Sequence, residues 1–279
     1  MQSLKPLGTT GEKTVLLYGD ESHSNEIVTY GFVIIPAKNV AAVEQALKDA
    51  KSRYGLAQET RVHCRCLFNR DARAKTAFAK FSVEDVLRFL EELMAVSFKA
   101  GARGWVGYLN TQKAPDRLLF ESNCRAAADR WEVTNLKNRM LFCFQAASAP
   151  LTHMFPPSSI KAMVDGDKTK IPYFEKKQQV DKLRSFFPVE HNNAQFFPEA
   201  VHGSKPLPLD LADVLAYAAA RGLSKTVHTN KSAFVSIVKM IDPGYSEVIF
   251  EMPSVGGAMF SIRAYDPADR VKSYVRQFL

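Results

Sequence analysis

The chain has 279 residues, 46% hydrophobic and 24% charged, which excludes a disordered or collagen-like polymer and leaves ample length for a large α/β domain. Its 37 Lys and Arg exceed its 29 Asp and Glu for a net charge of +8, a balance that favours polyanionic partners such as nucleic acid, although the basic residues are spread along the chain. No apolar run reaches the roughly 18–20 residues needed to span a bilayer, nothing before Val15 resembles a secretory h-region, and the four cysteines form no C-x-x-C pair. These features lead us to expect a soluble, cytoplasmic protein with no membrane partner. The triplet His63-Cys64-Arg65-Cys66 lacks both the customary zinc-ligand spacing and a second ligand pair.

The run Thr14 to Tyr18 is short, β-branched and apolar, and reads as a buried strand stopping at Gly19-Asp20. Glu26 to Ile35 reads as a second strand, and the short polar stretch between them predicts an antiparallel hairpin. Pro36 ends that strand. Val40, Val43, Leu47 and Tyr54 then mark an amphipathic helix over Asn39 to Tyr54. A second apolar stripe, from Phe78 to Leu93, predicts a helix over Asp71 to Lys99 that Gly101 terminates. Arg103 to Leu109 reads as a third strand, and Phe120 to Ala147 as one or two helices around Trp131, with Pro150, Pro156 and Pro157 breaking the chain beyond. Ile160 to Val164 is a fourth strand, again ending in a carboxylate, Asp165. Phe186 to Pro208 reads as a loop with a short strand, and Leu209 to Arg221 as a strong helix. Val248 to Phe250 and Ala258 to Arg263 are candidates for a terminal hairpin. With no internal repeat or low-complexity linker, the expectation is a single domain over 1–279, with a core of about 14–222 and a C-terminal extension of about 223–279.

Hard divalent cations prefer oxygen ligands, and phosphodiester hydrolysis needs several carboxylates gathered from distant parts of the chain. Four places supply them: Asp20 closing the first strand, Glu59 before Arg61-Val62-His63, Asp165 closing the fourth strand, and Asp213 one turn beyond Asp210. In an open α/β sheet catalytic groups gather at strand ends, so Asp20 and Asp165 become neighbours if their strands pair. Asp210 and Asp213 share a helix face. An acid inside so apolar a helix is costly unless paired, capped or metal-bound; Asp210 also follows Pro208 and is placed to charge the helix N-terminus.

The strand ending in Y-G-D-E-S (Tyr18 to Ser22), Glu59 before a short basic and histidine segment, the strand ending in Asp165, and Ser204-Lys205 leading into L-D-L-A-D-V-L-A-Y resemble the bacterial family catalogued as domain of unknown function 3800. The resemblance spans about Val15 to Arg221. It implies an RNase H-like mixed sheet flanked by helices, with C-terminal elaboration, carboxylate-bound Mg²⁺ or Mn²⁺, and nuclease chemistry on a nucleic-acid partner. Asp20 would be shared by two ions, with Asp165, Asp213 and one of Glu21 or Glu59 completing the shell, Asp210 adding a further carboxylate, Arg61 and Lys205 holding phosphates, and His63 a candidate proton shuttle. His23 stands where the family has Gly, and Asp210 where it has Gln.

Two other readings compete. Ala162 to Thr169 (A-M-V-D-G-D-K-T) resembles the D-x-D-x-T start of haloacid-dehalogenase phosphatases, whose first Asp is a nucleophile, although that motif usually stands near the chain start. The other is a non-catalytic nucleic-acid-binding or interaction module on the same fold. Gly8 to Thr14 lacks the Gly-Lys adjacency of a P-loop, and Gly256-Gly257 does not complete a dinucleotide fingerprint.

Overall fold

A computed structural model describes residues 14–115, 117–119, 130–132, 136–155, 157–166, 198–226, 229–251 and 259–265. Strands β1 (Val15–His23) and β2 (Ile27–Pro36) form the expected antiparallel hairpin, and β3 (Arg103–Asn110) adds antiparallel to β2. The two-residue alternation of β1 splits its side chains between two apolar layers: Leu17 faces one, Leu16 and Tyr18 the other. On the far side of β1, β6 (Ile160–Asp165) runs parallel to it and β7 (Glu199–Val201) parallel to β6. Beyond β3, β8 (Gly244–Glu251) runs parallel and β9 (Met259–Tyr265) returns antiparallel. The result is a mixed seven-stranded sheet of order β7-β6-β1-β2-β3-β8-β9, flanked by helices, an α/β fold. The C-terminal strands thus extend the core sheet. A short ribbon pairs β4 (Arg117–Leu119) with β5 (Arg130–Glu132).

One sheet face carries α1 (Val40–Arg53), α4 (Val83–Lys99), α6 (Pro208–Leu223) and α7 (Lys231–Lys239), with the short α2 (Cys64–Leu67) and α3 (Arg70–Arg73) beside them; α5 (Leu136–Met154) covers the other. Two glycines set how closely the helices rest on the sheet. A Cβ on Gly31 would lie 3.2 Å from the Ala216 backbone nitrogen of α6, and one on Gly107 would lie 2.1 Å from the Cys143 carbonyl oxygen of α5. No helix among the described residues is long and apolar enough to cross a membrane.

Three expectations change. The helix predicted over Asp71 to Lys99 begins only at Val83, because Ser82 and Asp85 form a capping box: the Ser82 hydroxyl accepts from the Asp85 N–H, and the Asp85 carboxylate accepts from the Ser82 N–H. Phe78 still reaches the core from the turns upstream. Trp131, expected in a helix, belongs to β5. Pro150 lies inside α5, which continues to Met154; burial of Ala146, Ala147 and Leu151 against the sheet outweighs the missing N–H. The helix Lys231–Lys239, with Phe234, Ile237 and Val238 buried, went unread in the sequence.

Candidate functional site

The ladder between β1 and β6 pairs Tyr18 with Met163 and Gly19 with Val164, and Asp20 and Asp165 follow as the next residue on each strand. Two such residues in a parallel pair point to the same face, here the one on which Tyr18 and Met163 pack and which α6 covers. Both acids are nearly buried, at 8% and 3% exposure. Helix α6 anchors to the hairpin through Thr29, whose hydroxyl donates to the Ala216 carbonyl at 2.9 Å, and it carries Asp213 one turn earlier.

Asp213 is held from two sides. Its Oδ1 accepts the Cys64 N–H at 2.8 Å and its Oδ2 lies 2.7 Å from His63 Nδ1. A carboxylate only accepts, so Nδ1 carries a proton, which in the neutral imidazole leaves the lone pair on Nε2. Burial, then the charge of Asp213 and more weakly that of Asp20, pushes the Cys64 thiol up, which places both carboxylates in one neighbourhood and keeps Cys64 from acting as a thiolate nucleophile.

Asp210 lies in a separate cluster. It is fully buried, and Lys51, equally buried on α1, donates to its Oδ2 at 2.9 Å. Arg61 Nε approaches Oδ1 to 2.9 Å without the alignment of a hydrogen bond, so that contact is ionic. Burial raises this carboxyl above its ordinary range while the two cations oppose the rise. Asp210, expected as a metal ligand, therefore stands in an ion pair that neutralises a buried lysine. Arg61, expected to hold phosphate, instead binds Asp210 and donates to the carbonyls of Lys205 and Pro206, fixing the approach to α6. Lys205 forms an ion pair with Asp165. Glu59 sits exposed in the turn after α1. Glu21 pairs with Tyr30 and, one residue from Asp20, points to the opposite face; burial raises the Tyr30 hydroxyl, and the charge of Glu21, then that of Asp20, adds to the rise.

Several neighbours were not singled out in the sequence. A Cβ on Gly166 would lie 2.6 Å from the His202 ring, so His202 stacks over the turn that follows Asp165. The Arg221 guanidinium lies 3.3 Å from the Tyr217 ring centroid, and burial lowers its pKa. Burial, then Arg221 and Arg65, lowers the His23 imidazole, which puts all three at the C-terminal end of β1. Asp167 and Thr169 of the phosphatase-like segment lie outside the described residues.

No protein-family model, curated protein or solved structure matches the chain.

Among the described residues no three His, Cys, Asp or Glu side chains form a ready-made metal cage. The strand ends offer two hard oxygen donors, Asp20 and Asp165, the second already paired with Lys205, and α6 carries a third, Asp213.

Proposed function

We propose that the protein is a divalent-metal-dependent hydrolase of nucleic-acid phosphodiesters. The observation that carries this reading is the gathering of Asp20 and Asp165 at neighbouring strand ends beneath the helix that bears Asp213. The resemblance to the domain of unknown function 3800 family supports it, since the family's motif acids map onto these three. Asp20, Asp165 and Asp213 would hold Mg²⁺ or Mn²⁺, which when bound activates water and stabilises the leaving oxygen. His63, oriented by Asp213, keeps its proton on Nδ1 and presents Nε2 to take or return another. Lys205, Arg65 and Arg221 supply positive charge for the phosphates. The free thiols of Cys64, Cys66 and Cys143 suit work in the reducing cytoplasm.

Purified protein incubated with Mn²⁺ and single- and double-stranded DNA and RNA should cleave at least one substrate, and Asp20→Asn should lower the rate about 10³-fold, as expected when several kcal/mol of charge stabilisation are lost. Cleavage that survives Asp20→Asn would defeat the assignment. The absence of a ready-made cage among the described residues favours a second reading, a non-catalytic nucleic-acid-binding module. Calorimetry separates the two: Mn²⁺ binding lost in Asp165→Asn supports the hydrolase, and no Mn²⁺ binding by the wild type supports the module.

A further inference from the structure

Tyr108, Tyr245 and Tyr265, with Leu223, Glu247 and Arg263, line a cleft of about 250 Å³ at the β3-β8-β9 side of the sheet. Strand register ties this cleft to the acids. Asp20 pairs with Gly31, Gly31 with Val106, Val106 with Tyr245 and Tyr245 with Tyr265, one continuous cross-strand row. The next row runs Ser22, Thr29, Tyr108, Glu247 and Arg263. Residues of one row point to one face, so the cleft opens on the face that holds Asp20. Tyr245 is three strands from Asp20, about 14 Å at the usual strand spacing. Helix α6 bridges the same gap: Asp213 stands near one end, and Leu223, about 15 Å along the helix, lines the cleft. Arg221 lies between.

The chemistry of the cleft is that of a stacking site. Tyr265 is 65% exposed, which leaves its ring face accessible from solvent. Burial above all pushes the hydroxyls of Tyr108 and Tyr245 up to about 12, so both rings stay neutral. Glu247 accepts a hydrogen bond from Tyr108 and faces Lys113 at 3.5 Å, which offsets its charge. A carboxylate so placed accepts readily from the exocyclic amine of a base, and Arg263 beside it suits a phosphate. Aromatic faces with nearby arginine bind unpaired bases; a duplex keeps its base faces stacked inside.

We propose that the tyrosine cleft binds the unpaired bases of a single-stranded nucleic acid, whose backbone passes Arg221 on its way to the strand-end acids. The cleft's binding stands on its own geometry; only the fate of the strand rests on the hydrolase reading. The test is fluorescence anisotropy of the full chain in EDTA at physiological salt, with a short fluorescein-labelled oligodeoxycytidylate and a duplex of equal length. Tyr265→Ala and Tyr245→Leu should each weaken single-strand binding about ten-fold or more, while duplex binding is unchanged. Tyr265→Phe, which keeps the ring, should bind as the wild type does. Wild-type affinity in both Tyr265→Ala and Tyr245→Leu, or equal losses for single strand and duplex, would overturn the proposal. Tyrosine-dependent binding by a protein that cleaves nothing with Mn²⁺ would uphold the cleft and discard the hydrolase.

Discussion

Asp210 and Asp213 stand one turn apart on the same helix, in the same apolar sequence, yet occupy opposite physical situations. Asp210 is fully buried against an equally buried Lys51, with the half-exposed Arg61 at its other oxygen, so its charge is spent on these two cations. Asp213 faces a histidine whose side chain is 37% exposed and the first N–H of α2, at a boundary solvent can reach. The difference lies in the partners that α1 and α2 bring up: a lysine on the apolar stripe of one, a backbone amide and an imidazole from the other. A buried ion pair is costly to break but often replaceable by apolar groups of similar size, whereas a carboxylate at a wet boundary can exchange its partners for a cation or a substrate.

The contrast can be broken most forcefully at Asp210. Asp210→Ala leaves the Lys51 ammonium without its closest carboxylate and should cost about 3–5 kcal/mol in urea unfolding. Pairing Asp210→Leu with Lys51→Met should restore most of that loss; a double variant as unstable as the single one would contradict a purely structural role. Asp213→Asn should be milder on stability, about 1–2 kcal/mol for weakened hydrogen bonds at His63 and Cys64, while abolishing Mn²⁺-dependent cleavage. If its stability loss equalled that of Asp210→Ala, the two sites would not differ as described. The smallest effect is expected at the far end of α6. There Glu26 accepts from the Thr226 and Ser224 hydroxyls and from the backbone N–H groups of Thr226 and Lys225, and the Thr226 hydroxyl above all draws its pKa from 4.5 down to about 2. A carboxyl lowered on folding adds stability in full above its unfolded value and loses it as the pH falls through the folded one. Melting temperatures of wild type and Glu26→Gln should therefore differ at neutral pH and converge toward pH 2, the folded-state value. A gap constant with pH would contradict this.

Much of the frame was legible because period-two alternation and turn residues fix strands whatever surrounds them. The first hairpin, the β6 strand ending in Asp165, α6 and the terminal hairpin all follow from local pattern. The break before Val83 was also local: Ser82 and Asp85 carry a capping box, which the apolar periodicity of Phe78 and Phe81 masked. Trp131 and Pro150 were misread because ribbon pairing and sheet packing, set by distant residues, override propensity. At the site, the strand-end acids were visible, but the partner of Asp210 was not sought. Its signal was Lys51, four residues after Leu47 on the apolar stripe of α1, where a cation is tolerated only if an anion meets it. His202 and Arg221 left no such signal, since their place depends on how β7 and α6 meet the sheet.

Gly31, directly opposite Asp20 on β2, bears on the tolerances of the site. Its missing side chain lets the backbone of α6 settle onto the sheet at Ala216, so the seating of the helix that bears Asp213 is set by a residue that contributes no chemistry. A single methyl there would have to push that helix outward by a few tenths of an ångström. The fold would stay whole, while the helix that carries Asp213 rode higher on the strands whose ends carry Asp20 and Asp165.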